Sequence, residues 1–268
     1  MNVQLYRIVI LLLVFSGMTS KIIAQESNDG DDLNKKADDA EVQANNPLAS
    51  IKTFNFHNYY VPSLSGLPDA TSNTMWFRYA QPVGRFLVRA SLPVSTVPSS
   101  DNSDISGLGD LNAFATYLAV KNAKTTLGIG PLIAVPTASN EALGAGKWQA
   151  GAALIVFHVV SPQLQLGGLV TWQTSFAGDE DRDKTNFMAV QIFGIWQLGK
   201  GTYLRSTGIS QFNLESGAYN IPFGLGIGKV LKMDKLVFNI FAEPQFTALH
   251  YGSGQPLLQL FFGLNTQF

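Results

Sequence analysis

The sequence predicts an all-β fold: an antiparallel transmembrane β-barrel of about twelve strands with both termini periplasmic. Three observations predict it. The last eleven residues alternate, with one exception, between apolar and polar, long and short chain breaks interchange strictly from residue 51 onward, and charge is scarce in a chain with no helical span. Leu258, Leu260, Phe262, Leu264, Thr266 and Phe268 share one parity, while Gln259, Gly263, Asn265 and Gln267 share the other. Period-two alternation is a strand with one apolar and one polar face. Phe261 is the exception. A soluble sheet that closed on such an uncharged apolar edge would invite aggregation. A segment of this kind, ending on an aromatic residue, looks like the C-terminal signal read by the outer-membrane barrel-assembly machinery, with Phe268 as the contact.

Composition points the same way. Only 14% of residues are charged and 46% are hydrophobic. An outward apolar band around a barrel reconciles that balance with the absence of long apolar helices. There is no cysteine, so disulfides, thiol nucleophiles and thiolate metal sites are excluded. Lys and Arg number 18 against 19 Asp and Glu, which gives no basic footprint for a nucleic-acid partner.

The chain opens with Arg7, an apolar run from Ile8 to Phe15, and small residues at Ser16, Gly17, Thr19 and Ser20. This is the pattern of a secretory signal peptide over residues 1–24, too short to span a bilayer. Cleavage after Ala24 would remove Arg7 and Lys21, leaving 16 basic residues against 19 acidic ones. Residues 25–46 carry Asp29, Asp31, Asp32, Asp38, Asp39 and Glu41 among polar neighbours and read as a disordered acidic periplasmic lead-in. The barrel is then expected over residues 47–268.

Within the barrel the tight breaks are Pro82 to Arg85, Lys121 to Lys124, Ser161-Pro162, Gly199 to Gly201 and Lys232 to Lys235. The looser ones are Pro62 to Ser72, Ser95 to Ser106, Thr137 to Gly146, Ala177 to Asp183, Glu215 to Gly217 and Gly252 to Gln255. Tight periplasmic turns facing longer extracellular loops produce this interchange. Faces follow from parity. Phe86 and Val88 are expected outward with Arg89 and Ser91 inward, Leu166 and Trp172 outward with Gln165 and Gln173 inward, and Leu236 and Ile240 outward with Asn239 and Glu243 inward. The strand from Trp148 to Val159 is apolar on both parities, so its orientation stays open. Tyr117, Trp196 and Tyr203 near short turns, and Tyr59, Tyr60, Trp172, Tyr219 and Tyr251 near long loops, suggest two interfacial aromatic girdles.

Charges inside strands are few, and parity turns them inward: Arg78, Arg89, Asp110, Arg205 and Glu243. An Arg facing lipid at midplane would cost roughly 2–4 kcal/mol. These five, with Gln173, Gln191 and Gln245, are the candidate lumen-lining residues, either tuning solute passage or pairing to fill the interior. The inward Phe187, Phe193, Phe241 and Phe261 could instead plug the lumen. Inward glycines such as Gly167, Gly228 and Gly263 either leave space or mark bends. The acidic loop from Gly178 to Asp183 lacks the Gly turn and the distant Glu of a calcium loop, so no metal or cofactor is expected.

An enzyme would need a nucleophile beside a base. His57 is followed by Asn58-Tyr59, His158 by Val159-Val160, and His250 lies three residues before Ser253, none of which makes a catalytic constellation. The reading is a non-enzyme.

Several stretches resemble one family, the outer-membrane proteins of the MetA-pathway phenol-degradation group. They are Asn46-Pro47-Leu48-Ala49, Gly107-Leu108-Gly109-Asp110, Gly128-Ile129-Gly130-Pro131 with Pro136-Thr137-Ala138, Ala142-Leu143-Gly144-Ala145-Gly146-Lys147-Trp148, Ser175-Phe176-Ala177-Gly178-Asp179, and Val230-Leu231-Lys232. The last strand departs from the usual pattern at Thr266. The resemblance implies an outer-membrane barrel that passes small, aromatic or apolar compounds. The function expected is therefore a small-molecule channel surrounded by outer-membrane lipid and lipopolysaccharide. The alternative is a closed structural barrel whose extracellular loops bind a ligand or partner.

Overall fold

The computed structural model describes residues 44–48, 51–99 and 103–268. The signal-peptide segment and nearly all of the acidic lead-in lie outside the described residues. The strands are β1 (Thr53–Leu64), β2 (Ser72–Val83), β3 (Phe86–Pro98), β4 (Asp104–Leu108), β5 (Leu111–Lys121), β6 (Thr125–Val135), β7 (Lys147–Val159), β8 (Leu164–Gly178), β9 (Asn186–Gly199), β10 (Thr202–Ser206), β11 (Ile209–Asn213), β12 (Tyr219–Gly224), β13 (Gly226–Met233), β14 (Leu236–Tyr251) and β15 (Pro256–Gln267).

These fifteen pieces make twelve walls of one closed antiparallel barrel. Both β4 and β5 pair with β3, both β10 and β11 pair with β9, and both β12 and β13 pair with β14, so each couple is one interrupted strand. Closure is made by β15, which pairs with β14 on one side and β1 on the other. The amide of Phe268 donates to the Lys52 carbonyl at 3.1 Å, so the first and last strands begin and end at the same rim as the tight turns. Eleven breaks fall where the sequence places them. The tightest show why: Lys200 and Gly201 both adopt positive φ, the turn geometry that matches the right-handed twist of a hairpin.

The wall is inside-out relative to a soluble protein. Ile192 is 64% exposed and Phe223 63%, whereas Gln165 is fully buried and Glu243 is 1% exposed. With water absent from the bilayer core, a closed ladder satisfies the backbone and the apolar side chains face outward. The strand that sequence left unoriented, β7, turns Gln149, Ala153, Ile155 and Phe157 inward and Trp148 and Leu154 outward. Its double apolarity has a cause inside the barrel. Ile155 and Phe157 belong to an apolar cluster with Ala80, Leu87, Leu118, Phe193, Ile195 and Tyr203 that fills the short-turn end of the lumen.

Three inward glycines receive an aromatic ring from the facing strand. Gly167 pairs with Phe193, Gly228 with Tyr203 and Gly263 with Phe241. A Cβ on each would lie 2.0–2.2 Å from a ring carbon. The space left by these glycines is therefore occupied by their neighbours' rings. Two girdle assignments are corrected by the same geometry. Tyr203 is fully buried inside, and Tyr59 stacks on Phe261 at 4.2 Å within the lumen, because both share the inward parity of their strands.

One ladder is interrupted. Between β10/β11 and β12/β13 the pairing stops after Arg205↔Gly226 and resumes at Gln211↔Asn220. Pro222, in the gap, has no N–H to give. Also in the gap, the amide of Thr207 donates to Glu243 Oε1 at 2.7 Å.

Candidate lumen site

The unfilled part of the lumen is two cavities in series. The larger, about 520 Å³, reaches the long-loop end, where Val61, Ser72, Leu143 and Pro256 line it. The smaller, about 190 Å³, lies toward the short-turn end. Tyr59, Arg78, Arg89, Leu169, Gln191 and Ile209 line both and form the belt between them.

The five inward charges proposed from parity fall into three groups. Arg205 and Glu243 are an internal ion pair, Nε to Oε2 at 2.8 Å. Glu243 also accepts from the Thr207 amide and hydroxyl at 2.7 Å each and from Gln245 Nε2 at 2.9 Å. Gln245 in turn accepts from Gln259 Nε2 at 2.7 Å. Arg205 lies 3.4 Å above the Phe241 ring. A buried carboxylate with this many donors is fully compensated.

Asp110 is a loop anchor. It sits at the break between β4 and β5 and accepts from the amides of Ala138 (3.1 Å) and Ala145 (2.7 Å), pinning both ends of the loop that precedes β7. Its side chain also faces the larger cavity.

Arg78 and Arg89 differ from the others. They come from adjacent strands, where Arg78 pairs with Ser91 and Arg89 with Ala80, which makes them diagonal neighbours on the inner face. Among the described residues neither has a carboxylate within ion-pair distance. Arg78 Nη1 lies 2.5 Å from His57 Nδ1, and its guanidinium is 4.8 Å from the Trp76 ring. Arg89 lies 4.3 Å over Phe114. The buried Nε of each has no hydrogen-bond partner.

The three glutamines take up different posts. Gln191 donates to the Thr207 carbonyl at 2.8 Å, Gln173 donates to Gln149 Oε1 at 2.8 Å in the larger cavity, and Gln245 belongs to the Glu243 network. Sequence reasoning did not select Trp76 and Phe114, although Trp76 shares the parity of Arg78 on β2. Nor did it select His57, which bridges Arg78 and Asn265 Oδ1 (2.7 Å) and so serves as a strut. His158 bonds the Thr125 hydroxyl at 2.8 Å, and among the described residues no carboxylate orients it.

The segment Ala44–Leu48 lies inside the short-turn end as a plug. Gln267 Nε2 donates to the Ala44 carbonyl at 3.0 Å, Asn239 Nδ2 donates to Asn45 Oδ1 at 2.8 Å, and Leu48 is buried in the apolar cluster. The plug is upstream of β1, not one of the long loops.

Fold and site together define a twelve-stranded transmembrane β-barrel with an apolar wall and a polar, partly open lumen. The chain is similar to an outer-membrane channel from Pseudomonas putida F1, at TM-score 0.60 and 17% identity over 82% of this chain and 97% of that one. It is also similar to the NanC porin, at TM-score 0.52 and 10% identity over 80% of this chain and 98% of that one. Likeness at these identities shows the fold. No family model and no curated protein matches the sequence.

Proposed function

We propose that this barrel is a bacterial outer-membrane channel that passes small molecules, with the short-turn rim and both ends of the mature chain in the periplasm. The carrying observation is the lumen: a barrel built only as a scaffold would pack its interior, and this one keeps a cavity of about 520 Å³ that reaches the loop end. The apolar stretches of its wall, Phe114, Leu132 and Leu169 among them, suit the aromatic or apolar solutes that the family resemblance implies. In the same reading residues 1–24 are the secretion signal, residues 25–46 the periplasmic lead-in, whose last three residues lie within the lumen rather than in a disordered tail, Phe268 the contact for barrel assembly, and lipid and lipopolysaccharide the surroundings of the outer wall. Solute flux into liposomes, measured by swelling with the mature chain, tests it. Swelling above that of protein-free liposomes supports the channel, and none from a verified folded barrel, either intact or begun at Ile51, overturns it.

A second reading, a closed barrel whose loops bind a ligand, is favoured by one observation, the Ala44–Leu48 plug. The two readings separate on removal of that segment: a channel gains flux, and a structural barrel stays silent.

A further inference from the structure

We propose that Arg78 and Arg89 form a binding site for small organic carboxylates with an apolar body, at the belt between the two cavities. The proposal rests on the lumen being the passage, and it names the class of solute recognised there.

Charge comes first. Two guanidinium groups on diagonal positions of β2 and β3 face the same space, and the carboxylates nearby are already engaged. Glu243 is held by Arg205, Thr207 and Gln245, and Asp110 by two backbone amides. An uncompensated pair of cations in a low-dielectric interior is unfavourable, and an anion between them relieves both the repulsion and the lost hydration. The buried Nε atoms of Arg78 and Arg89 have no partner, which leaves both guanidinium groups short of acceptors, and their Nη groups are the donors left to a ligand. Forked donors of this kind match the two oxygens of a carboxylate.

The body of the ligand follows from the wall. Trp76 and Phe114, each already beneath a guanidinium, and Leu169 on the belt present flat or apolar surface beside the charges. A cavity of about 520 Å³ is ample for a single-ring acid. An inorganic anion would satisfy the charges and leave this apolar surface unused.

The built-in reporter is Trp76. The other tryptophans, Trp148, Trp172 and Trp196, are exposed on the outer wall. In a Trp148→Phe, Trp172→Phe, Trp196→Phe background of the mature, folded barrel in detergent, Trp76 fluorescence is titrated with benzoate, with its uncharged isostere benzamide, and with chloride. The expected result is saturable quenching by benzoate, with binding by benzamide and chloride weaker by about tenfold or more. Arg89→Gln should weaken benzoate binding by a similar factor, and it removes no hydrogen bond among the described residues. Arg78→Gln should do the same, and Arg78→Lys should recover part of the loss. Equal binding of benzoate and benzamide, or benzoate binding unchanged in Arg89→Gln, overturns the site. Chloride competing as tightly as benzoate also overturns it, since the site would then select charge alone. Liposome swelling on the same preparations separates the two levels. Flux without selective benzoate binding keeps the channel and removes the site, whereas selective binding without flux keeps the site and removes the channel.

Discussion

Glu243 and Arg205 meet at 2.8 Å inside the barrel at the point where the ladder between two neighbouring strands is interrupted. The pair does two jobs at once. It compensates an interior charge on each side, and it supplies an acceptor for the Thr207 amide, which lies in the gap of that ladder. Glu243→Ala strands Arg205 and orphans that amide, and a loss of about 3–5 kcal/mol is expected. Replacing both residues by Met should cost less than the single change, because no uncompensated charge remains. Urea unfolding in lipid vesicles reads both. A Glu243→Ala barrel as stable as the parent would contradict the role assigned to the pair.

Gly263 lies under the Phe241 ring, and a Cβ there would come within 2.0 Å of Phe241 Cζ. Gly263→Ala should destabilise the barrel by about 1–3 kcal/mol through overpacking. Phe241 also carries Arg205 on its other contacts, so its ring has little freedom to move aside. Adding Phe241→Leu to Gly263→Ala should return part of the stability. Thermal unfolding followed by circular dichroism checks the pair, and additive losses in the double variant would show that the ring and the glycine are not coupled.

The wall was legible in the sequence because lipid on one side and a polar lumen on the other impose period two on strand after strand. Where that contrast weakens, legibility weakens with it. On β7 the inward residues Ile155 and Phe157 are as apolar as the outward Leu154, since the lumen at that depth is an apolar plug. Tyr59 and Tyr203 lie near strand ends, which suggests the girdles, but their parity puts them inside. Phe261, the exception to the alternation of β15, belongs to an aromatic cluster with Tyr59 and Phe241. The candidate site was legible as a set of charges, but not as partners. Parity turns Arg205 and Arg89 inward alike, and only the registers of distant strands decide that Arg205 meets Glu243 while Arg89 meets none.

Asp110 ties the loop before β7 to the break between β4 and β5 through the amides of Ala138 and Ala145. Asp110→Ala frees both donors, at a cost of about 1–3 kcal/mol felt locally. The barrel itself should keep its unfolding midpoint in urea, because the ladder of β5 with β6 is untouched. Limited proteolysis of the folded protein should show faster cleavage between residues 137 and 146. An unchanged cleavage rate would mean that the loop is held by other contacts, such as the Arg182 Nη2 bonds to the carbonyls of Glu141 and Gly144.

The plug is the feature whose energetics bear most directly on conduction. Burying Leu48 contributes about 1.5–3 kcal/mol, and the amide donors of Asn239 and Gln267 add about 0.5–1.5 kcal/mol each. Against this, ordering each residue of the segment costs about 1–2 kcal/mol. The two sides are of the same order, so exchange between the closed state and an open one is expected. A single-channel record of the parent should show transitions between two current levels. A chain beginning at Ile51 should stay at the upper level. Leu48→Asp should shift the balance the same way, because it places a charge in the apolar cluster around Phe157 and Phe193. Asn239→Ala, which removes one donor and also a partner of Tyr203, should give intermediate occupancy. If the truncated chain shows the same current as the parent, the segment does not close the pore, and the constriction must be sought at the belt of Arg78, Arg89 and Tyr59.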